Sequence, residues 1–530
     1  MTRGRPVTVP ATGRAGAGAL VLRNARLPGS DDLVDVRIDD GVITHLGYLD
    51  PESPSGPRGV PGEPIEVVDL GERWLIPGLW DNHVHFTQWA QTARRLDVSG
   101  AASAVHAAAF VAARIAARAT FTPAGDTLIG YGFRDALWAD APTRAVLDAA
   151  SASALGPIPV VLVSGDLHSC WLNSAALARY GLPEHPTGLL RETDAFRVAQ
   201  LLDTVADEVV DGWVDDAARA AAARGVVGVV DMEMTWNLDV WRRRIAAGTT
   251  CLRVEFGVYS QHLQRAVDRG LRGGALIDGT GGLLTVGPFK VITDGSLNTR
   301  TAYCLDAYPG LTGAAAHGQL NVEPAELLPL LRLAAGVGMR AAVHAIGDHA
   351  NRLALDAFEL LAADGEAPGM ALRHSIEHAQ LLSDDDVHRF ARLGIVASVQ
   401  PEHALDDRDV ADRLWAGRTE RAFPLASLIA AGVELAFGSD APVAPLDPWV
   451  AMAAAVGRSR DGDDPWHPEQ SVPRQAALAA SARGRHRVSV GDVADLAVCE
   501  IDPLVASVAD LRRMPVAATL LAGRFTHRAL

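Results

Sequence analysis

The stretch "WLIPGLWDNHVHF", residues 74–86, sets an apolar run directly before two histidines, His83 and His85. Alternate residues of a β-strand face the same side, so these two imidazoles can point toward one ion. Apolar runs of the same kind recur along the chain. With the first they make eight, the others being "GVVGVVDME" (225–233), "LRVEFGVY" (252–259), "GPFKVITDG" (287–295), "RAAVHAIGD" (340–348), "HSIEHAQ" (374–380), "GIVASVQP" (394–401) and "ELAFGSDAP" (434–442).

The segments between these runs have helix-like composition, as in "LLPLLRLAAGVG" and "DDDVHRFARLG". Near-continuous apolar strands that alternate with helices indicate a parallel sheet buried on both faces. Eight such units predict an α/β fold, a (β/α)8 TIM-type barrel over residues 74–484. Residues 90–224 are too many for one crossover helix, so we expect an insertion after the first barrel strand that can act as a lid, with its own helices and the strand-like run "PIPVVLVSGD".

Both ends of the chain read as short strands separated by turns. Residues 18–73 contain the pair Asp40-Gly41, a favourable hairpin turn between apolar runs. Residues 485–530 contain "DVADLAVCEID" and "VAATLLAGRFTH" in the same style. We therefore predict a small β-sandwich domain built from both ends, preceded by a disordered tail over residues 1–17.

Composition narrows the functional class. The chain has 530 residues, 48% of them hydrophobic, and a formal net charge of -16. This charge argues against nucleic acid or an anionic membrane as a partner. The four cysteines are far apart and form no CxxC pair, which is typical of reduced thiols. With no signal peptide or transmembrane run in the sequence, we expect a cytoplasmic protein; a homodimer is left open.

The ends of the predicted barrel strands share one property, because they carry side chains that ligate metals. These residues are His83, His85, Lys290, His344, His378 and Asp440. Active sites of such barrels form at the carboxyl ends of the strands. Imidazoles with a carboxylate and without thiolates suit Zn²⁺ or a similar divalent ion in a catalytic site. A single histidine is more often structural, but the ordered set predicts a centre for one or two divalent ions.

Lys290 is the only lysine among 48 lysine and arginine residues. Arginine stays protonated in proteins, whereas a buried lysine can lose its proton and react as an amine. Chance is one explanation of the lone lysine. A second is an ammonium group that pairs with Asp294.

Several motifs resemble the amidohydrolase superfamily, in the branch of metal-dependent hydrolases related to N-substituted formamide deformylase. They are "IPGLWDNHVHF", "GDLHSCWLNSAAL", "FKVITDGSLNTRTA", "VHAIGDHA", "HSIEHAQ", "SVQPEH", "GSDAPV" and the terminal "GDVADLAV". The resemblance implies that His83, His85, His344, His378 and Asp440 bind the metal centre. It also implies that Lys290 carries CO₂ as a carbamate that bridges two metals, a role that arginine cannot take.

The expected reaction is hydrolysis of a non-peptide amide in a small molecule, with an N-substituted formamide as one substrate class. Asp440 and Lys290 are the expected catalytic residues, with Asp440 as general base and then general acid. A cyclic amide or imide hydrolase remains an alternative, since it uses the same centre. A deaminase is disfavoured, because deaminases of this superfamily place a glutamate where this chain has Gly347. A metal-free barrel scaffold is the alternative outside enzymes.

Four residues are expected to contact the substrate. His168 and Trp171 belong to "GDLHSCWLNS" in the insertion, and Arg300 and His403 follow the fourth and seventh strands. Each has a structural explanation as well, since Trp171 suits a core and Asn173 suits a helix cap.

Overall fold

The computed structural model describes residues 19–30, 32–50, 65–117, 127–152, 156–202, 205–365, 372–460 and 462–530. The predicted tail, residues 1–17, lies outside the described residues. In chain order the described strands are β1 (Leu20–Arg26), β2 (Leu33–Asp39), β3 (Val42–Gly47), β4 (Glu66–Asp69), β5 (Trp74–Pro77), β6 (Leu79–Val84), β7 (Leu96–Asp97), β8 (Leu128–Phe133), β9 (Val160–Ser164), β10 (Ser169–Leu172), β11 (Leu189–Arg191), β12 (Val226–Asp231), β13 (Arg253–Tyr259), β14 (Leu284–Ile292), β15 (Ala341–Ala345), β16 (Ser375–His378), β17 (Val396–Val399), β18 (Leu435–Phe437), β19 (Leu496–Cys499), β20 (Val516–Leu521) and β21 (Arg524–Arg528).

The helices lie mostly between the barrel strands and in the insertion. They are α1 (Phe86–Thr92), α2 (Ala104–Ala117), α3 (Arg144–Ala150), α4 (Ser174–Arg179), α5 (Thr193–Leu202), α6 (Asp207–Ala222), α7 (Asn237–Ala246), α8 (Ser260–Asp268), α9 (Pro324–Gly336), α10 (Asp348–Ala363), α11 (Asp384–Leu393), α12 (His403–Asp406), α13 (Arg408–Leu414), α14 (Leu425–Ala430), α15 (Pro448–Gly457), α16 (Arg474–Ser481) and α17 (Val508–Arg512). Short 3-10 helices cover Asp135–Leu137, Ala314–His317, Thr419–Arg421 and Pro468–Gln470. No helix in the described ranges is both long and apolar enough to cross a membrane.

The predicted barrel is confirmed. Eight parallel strands pair in the order β18-β17-β16-β15-β14-β13-β12-β6, and each runs beside its neighbour in the sequence of barrel strands. Burial on both faces explains the continuous apolar runs, as in β12, where every residue is buried. The first and last barrel strands, β6 and β18, are joined by backbone hydrogen bonds at and just after their carboxyl ends. The amide of Asp440 donates to the carbonyl of His83 at 2.7 Å, and the amide of His85 donates to the carbonyl of Ala441 at 2.8 Å.

A glycine permits this close approach of the first and last strands. A Cβ atom on Gly438 would lie 2.7 Å from the backbone nitrogen and from the Cβ of His83. Beside it, the side chain of Asn82 donates to the carbonyl of Phe437 at 2.8 Å. The contact between the first and last barrel strands, here called the seam, therefore needs a residue without a side chain at position 438, the first residue of the "GSD" turn.

The stretch 74–86 contains two strands and not one. β5 pairs with β1 and β19 in the sheet of the chain ends, whereas β6 begins the barrel. Gly78 lies between them, where a Cβ atom would collide with the side chain of Val227 at 2.4 Å. The change of sheet thus falls at Gly78, inside an apolar run that has no break in its hydrophobicity.

The two chain ends form one mixed eight-stranded sheet, in the order β21-β20-β19-β5-β1-β2-β3, with β4 paired to β1. The predicted hairpin joins β2 and β3, and its turn residues have positive φ angles, 50° at Asp40 and 77° at Gly41. Asp-Gly pairs favour this geometry. The described strands are all linked in a single sheet, so the two-layer form of the predicted sandwich stays a prediction.

The insertion contains more strands than its sequence suggested. Five strands pair in the order β11-β10-β9-β8-β7, although only the region of β9 reads as a strand. β7, β10 and β11 are two to four residues long, too short for a recognisable pattern. Arg134 links the insertion to the barrel side, because its guanidinium lies 3.2 Å from carboxylate oxygens of both Asp406 and Asp407.

The seam generates a stability prediction. Gly438→Ala should lower the free energy of unfolding by about 1–3 kcal/mol, since the new methyl group must displace His83 or the strand that carries it. Gly336→Ala is the matched control, because this glycine at the end of α9 has no atom within 4 Å of its added Cβ. Denaturant unfolding followed by circular dichroism measures both. Equal midpoints for the two variants would contradict the argument.

Candidate metal centre

The six predicted ligands meet at one end of the barrel. His83 lies in β6, His344 in β15 and His378 at the end of β16, while Asp440 follows β18. His85 and Lys290 complete the set, and all six line a cavity of ≈ 580 Å³. Residues separated by more than 350 positions are adjacent here because parallel strands share one carboxyl edge. Which of them bind an ion stays a prediction.

Asp440 stands at the centre of the group. Its Oδ1 atom lies 3.5 Å from Nε2 of His83 and 3.4 Å from Nε2 of His85. Ligand atoms of these three residues lie within 4.8 Å of one another, and the same holds for His378, His403 and Asp440. Two overlapping sets that share one carboxylate suit one or two divalent ions.

The ligand-bearing backbone is bent sharply. The φ angles are positive at three residues without a glycine's freedom: 75° at His378, 44° at Ala379 and 56° at Asp440. Left-handed geometry at such residues is uncommon and clusters at functional sites. Here it turns the chain where a strand ends and keeps the imidazole of His378 4.4 Å from the ring of His344, measured between ring centroids.

Two buried polar side chains orient the imidazoles. Nδ1 of His83 donates to Oε2 of Glu377 at 2.6 Å, and Ser375 donates to the other carboxylate oxygen at 2.5 Å. Nδ1 of His378 lies 2.8 Å from Oε1 of Gln400. With Nδ1 engaged, Nε2 of each ring is the nitrogen left for an ion, the usual arrangement around metal-ligating histidines. Sequence reasoning missed Glu377 and Gln400, although a carboxylate inside the apolar run "HSIEHAQ" was a usable signal.

The charge states fit a cation. Burial lowers the pKa of His83, His344 and His378, so these rings are neutral and able to ligate. Burial works against ionisation of Asp440, but the surrounding imidazoles outweigh it and hold the pKa of that carboxyl well below its ordinary value. For Glu377 burial also works against ionisation, but the hydrogen bond and charge of His83, the charge of Lys290 and the hydrogen bond from Ser375 together outweigh it and lower the pKa to about 2. His85 differs, since burial is outweighed by the hydrogen bond and charge of Asp440, which raise its pKa, so this ring must give up a proton to bind an ion. Neutral imidazoles with ionised carboxylates are the forms that bind a divalent ion.

Lys290 is buried beside the two carboxylates. Its side chain is 1% exposed, and Nζ has no hydrogen-bond partner among the residues that the structure describes. Burial lowers the pKa of its amine, with the charges of Glu377 and Asp440 opposing that change. The suggested pairing of an ammonium with Asp294 is wrong. The carboxylate of Asp294 instead accepts backbone hydrogen bonds, from Ile346 at 3.0 Å and from Gly347 at 2.9 Å.

Two of the four residues expected at the substrate line the cavity. His168 belongs to the wall that the insertion contributes, together with Leu167 and Phe196. His403 lies at the start of α12 on the barrel side, and its ring stacks on that of His378 at 6.3 Å.

The other two do not reach the cavity. Trp171 is fully buried in the core of the insertion, where its indole packs against Phe133 and Trp138. Trp171 lies in β10, whereas His168 directly precedes this strand and faces the cavity, so the structure separates the two residues that the motif placed together. Arg300 lies in the turn after β14 with a φ of 60°, and its charge is near Asp135 and outside the cavity lining.

A profile of the amidohydrolase family matches residues 66–527, nearly the whole described chain. The chain belongs to the amidohydrolase family. It is therefore a hydrolase that acts on carbon–nitrogen bonds, and the family resemblance of its motifs is confirmed.

Relatives with curated names agree with this assignment. The chain is 28% identical to the putative amidohydrolase YtcJ of Bacillus subtilis over 93% of this chain and 95% of that protein. It is 28% identical to Protein LONG AFTER FAR-RED 3 of Arabidopsis thaliana, over 90% and 83%. It is 26% identical to N-substituted formamide deformylase of Arthrobacter pascens, over 88% and 90%.

A solved structure shares the fold. An uncharacterized metal-dependent hydrolase from Pyrococcus horikoshii superposes with a TM-score of 0.72 at 24% identity, covering 93% of this chain and 99% of that one. The likeness extends over the barrel, the insertion and the sheet of the chain ends.

The orienting role of Glu377 can be measured directly. Glu377→Gln keeps an acceptor for His83 but removes the buried charge, so affinity for Zn²⁺ should fall about 10- to 100-fold. Competition with a chelator, read by elemental analysis, gives the dissociation constant. Glu326→Gln, an exposed change on α9, is the control. An unchanged Zn²⁺ affinity in Glu377→Gln would show that the carboxylate does not support the centre.

Proposed function

We propose that this family member hydrolyses the amide bond of a small non-peptide molecule, with an N-substituted formamide as the substrate class. The observation that carries the proposal is the cavity in which the six ligand-type side chains face a wall from the insertion that includes the apolar side chains of Leu167 and Phe196. The name of the Arthrobacter pascens relative supports the formamide, at 26% identity. Cavities of this size hold molecules well above the size of formamide itself, which favours a bulky nitrogen substituent.

The metal is proposed to be Zn²⁺, held by His83, His85, His344, His378 and Asp440. When bound, a divalent ion lowers the pKa of a water molecule to about 7 and polarises a carbonyl group. The donor set suits zinc, since it offers imidazoles and carboxylates and no thiolate. The four cysteines are all free and buried, which supports a reducing compartment such as the cytoplasm.

Asp440 is proposed to move the proton. It is the carboxylate shared by both potential ligand sets, and it is buried at 8% exposure beside the cavity. From this position it can accept a proton from the attacking water and give it to the leaving nitrogen. The products are then a carboxylic acid, formic acid for a formamide, and an amine.

Lys290 is proposed to be carbamylated. A neutral amine attacks CO₂, and the buried, unbonded Nζ has a lowered pKa that favours this neutral form. The carbamate would supply two further oxygens between the imidazoles, where the described side chains offer Nζ no acceptor.

Gly347 argues against the deaminase alternative. The glutamate expected there in deaminases has no room, because a Cβ atom at this position would lie 2.1 Å from the backbone oxygen of Tyr303. A cyclic amide or imide would use the same centre and enters the test below as a competing substrate class. A metal-free scaffold would not need six ligand-type side chains in one cavity.

The proposed activity is tested with a substrate panel. Zn²⁺-loaded protein should hydrolyse N-substituted formamides faster than N-acyl compounds, lactams and hydantoins, with the release of the hydrolysis product of each substrate, followed by chromatography, as the readout. Asp440→Asn, purified in parallel, should lower kcat by about 10² or more, which excludes a contaminating enzyme. Preference for the hydantoins would reject the formamide in favour of the cyclic class, and release without metal would reject the metal-dependent route.

The proposed carbamate predicts different activities for two substitutions of Lys290. Lys290→Arg keeps the charge but cannot form a carbamate, so it should lose nearly all activity and part of its metal. Lys290→Ala should recover some activity when a short carboxylic acid is added, because a free carboxylate can occupy the place of the carbamate. Metal content and turnover of both variants are compared side by side. An active, fully metallated Lys290→Arg protein would end the carbamate hypothesis.

A further inference from the structure

His168 lies on the wall of the cavity that the insertion contributes, opposite the barrel strands. Its Nδ1 atom is 3.0 Å from Oε2 of Glu192, and its ring meets Phe196 edge to face at 5.5 Å between centroids. The ring is thus fixed on two sides. No described residue bonds to the remaining nitrogen, Nε2, and His168 is among the residues that line the cavity.

Two carboxylates hold this histidine and tie it to the barrel. Oε1 of Glu192 accepts from the hydroxyl of Thr301 at 2.8 Å, in the loop after β14. Asp166 accepts from the backbone amide of His168 at 3.2 Å and, with its other oxygen, from the hydroxyl of Ser296 at 2.9 Å. The loop that follows the strand of Lys290 therefore positions the imidazole across the cavity.

The carboxylates also determine whether Nε2 of His168 carries a proton. Burial works against a charged ring, but the hydrogen bond and charge of Glu192 and the charges of Asp166 and Asp440 outweigh it and raise the pKa of His168 to about 9. The imidazole of His344 and the carboxyl of Asp294 also feel this charge. Near neutral pH both ring nitrogens then carry protons, and Nε2 is a donor without an acceptor among the described residues.

The neighbouring cation on the same wall is already engaged. Both terminal nitrogens of Arg134 face carboxylates, those of Asp406 and Asp407. His168 differs from it because one of its two donors is left for a molecule in the cavity. The side chain of His168 is 14% exposed, so this donor is accessible from the cavity, where an oxygen of a bound molecule can accept its hydrogen bond in place of water.

Building on the proposed amide hydrolysis, we propose that His168 is a substrate-positioning residue whose Nε2–H group donates a hydrogen bond to an oxygen of the substrate, and that Glu192 holds the ring for this purpose. The oxygen is either that of the scissile amide or that of a carboxylate on its substituent. The expected substrates are therefore amides that can direct one of these oxygens toward His168 while an apolar substituent contacts Leu167 and Phe196.

Two substitutions of His168 distinguish a role in positioning the substrate from a role in folding alone. The short side-chain amide introduced by His168→Asn reaches the place of Nδ1 and can keep the bond to Glu192, whereas the longer side chain in His168→Gln reaches the place of Nε2. We expect kcat/KM to fall about 10- to 100-fold in His168→Asn and less in His168→Gln. His106→Asn, an exposed change on α2, is the control. A fall in kcat identifies the amide oxygen, and a rise in KM confined to carboxylated substrates identifies the carboxylate.

Equal activity of His168→Asn and the native protein would overturn the proposal, as would equal losses in both His168 variants. Metal content and unfolding midpoint are measured alongside, so that a folding defect is recognised. If the native protein hydrolyses no amide of the panel, the proposed function fails, and the state of His168 is then decided by the spectroscopic test below.

The pH dependence tests Glu192. In Glu192→Gln the ring loses its carboxylate partner, its pKa falls from about 9, and Nε2 loses its proton at a lower pH. The ratio of variant to native kcat/KM should therefore decline as the pH rises from 6 toward 9, while Glu184→Gln, an exposed change in the insertion, gives a constant ratio. A pH-independent ratio for Glu192→Gln would overturn the assigned role.

Nuclear magnetic resonance supplies a readout that needs no turnover. Protein labelled with ¹⁵N-histidine, compared with His168→Gln for assignment, should show His168 doubly protonated at pH 8, and neutral at that pH in Glu192→Gln. A neutral His168 in the native protein at pH 8 would overturn the proposal whether or not an amide is hydrolysed.

Discussion

The backbone pairing that closes the barrel is the constraint on which the rest of this structure depends. Two hydrogen bonds join the ends of the first and last strands, between His83 and Asp440 and between His85 and Ala441. They bring the carboxylate of Asp440 beside both imidazoles. Because the strands are all parallel, the same closure also aligns the ends of the six strands between them, and the other ligand-type side chains reach one rim without any adjustment of their own.

Burial then sets the chemistry of that rim. Burial lowers the pKa of His83, His344 and His378, whereas the pKa of Asp440 stays well below its ordinary value because the neighbouring imidazoles outweigh its burial. Lys290 Nζ has no hydrogen-bond partner among the described residues, and the carboxylates of Glu377 and Asp440 are buried in the same group. A bound divalent cation would compensate the charges of Glu377 and Asp440, which fits the proposed metal centre.

The insertion adds to this centre a second wall with a different chemistry. The barrel provides the ligand-type side chains, whereas the insertion provides apolar side chains such as Leu167 and Phe196 together with Arg134, Asp166 and an oriented imidazole, that of His168. Hydrogen bonds from Ser296 and Thr301 join the two walls through the loop that follows the strand of Lys290. The loop that follows the strand of Lys290 thus joins the wall from the insertion to the rim that carries the predicted ligands.

The sequence by itself determined the barrel, the hairpin at Asp40 and the side chains at the strand ends, because hydrophobic period, turn chemistry and ligand type are local properties. It did not determine where one sheet ends and the next begins at Gly78, since that depends on a contact with Val227 across the fold. Nor could it separate Trp171, which packs in a core, from His168 three residues earlier, which faces the cavity. The carboxylates that orient His83 and His168 are distant in the chain, so only the tertiary structure decided which histidine each one holds, and with it the proton that each ring presents.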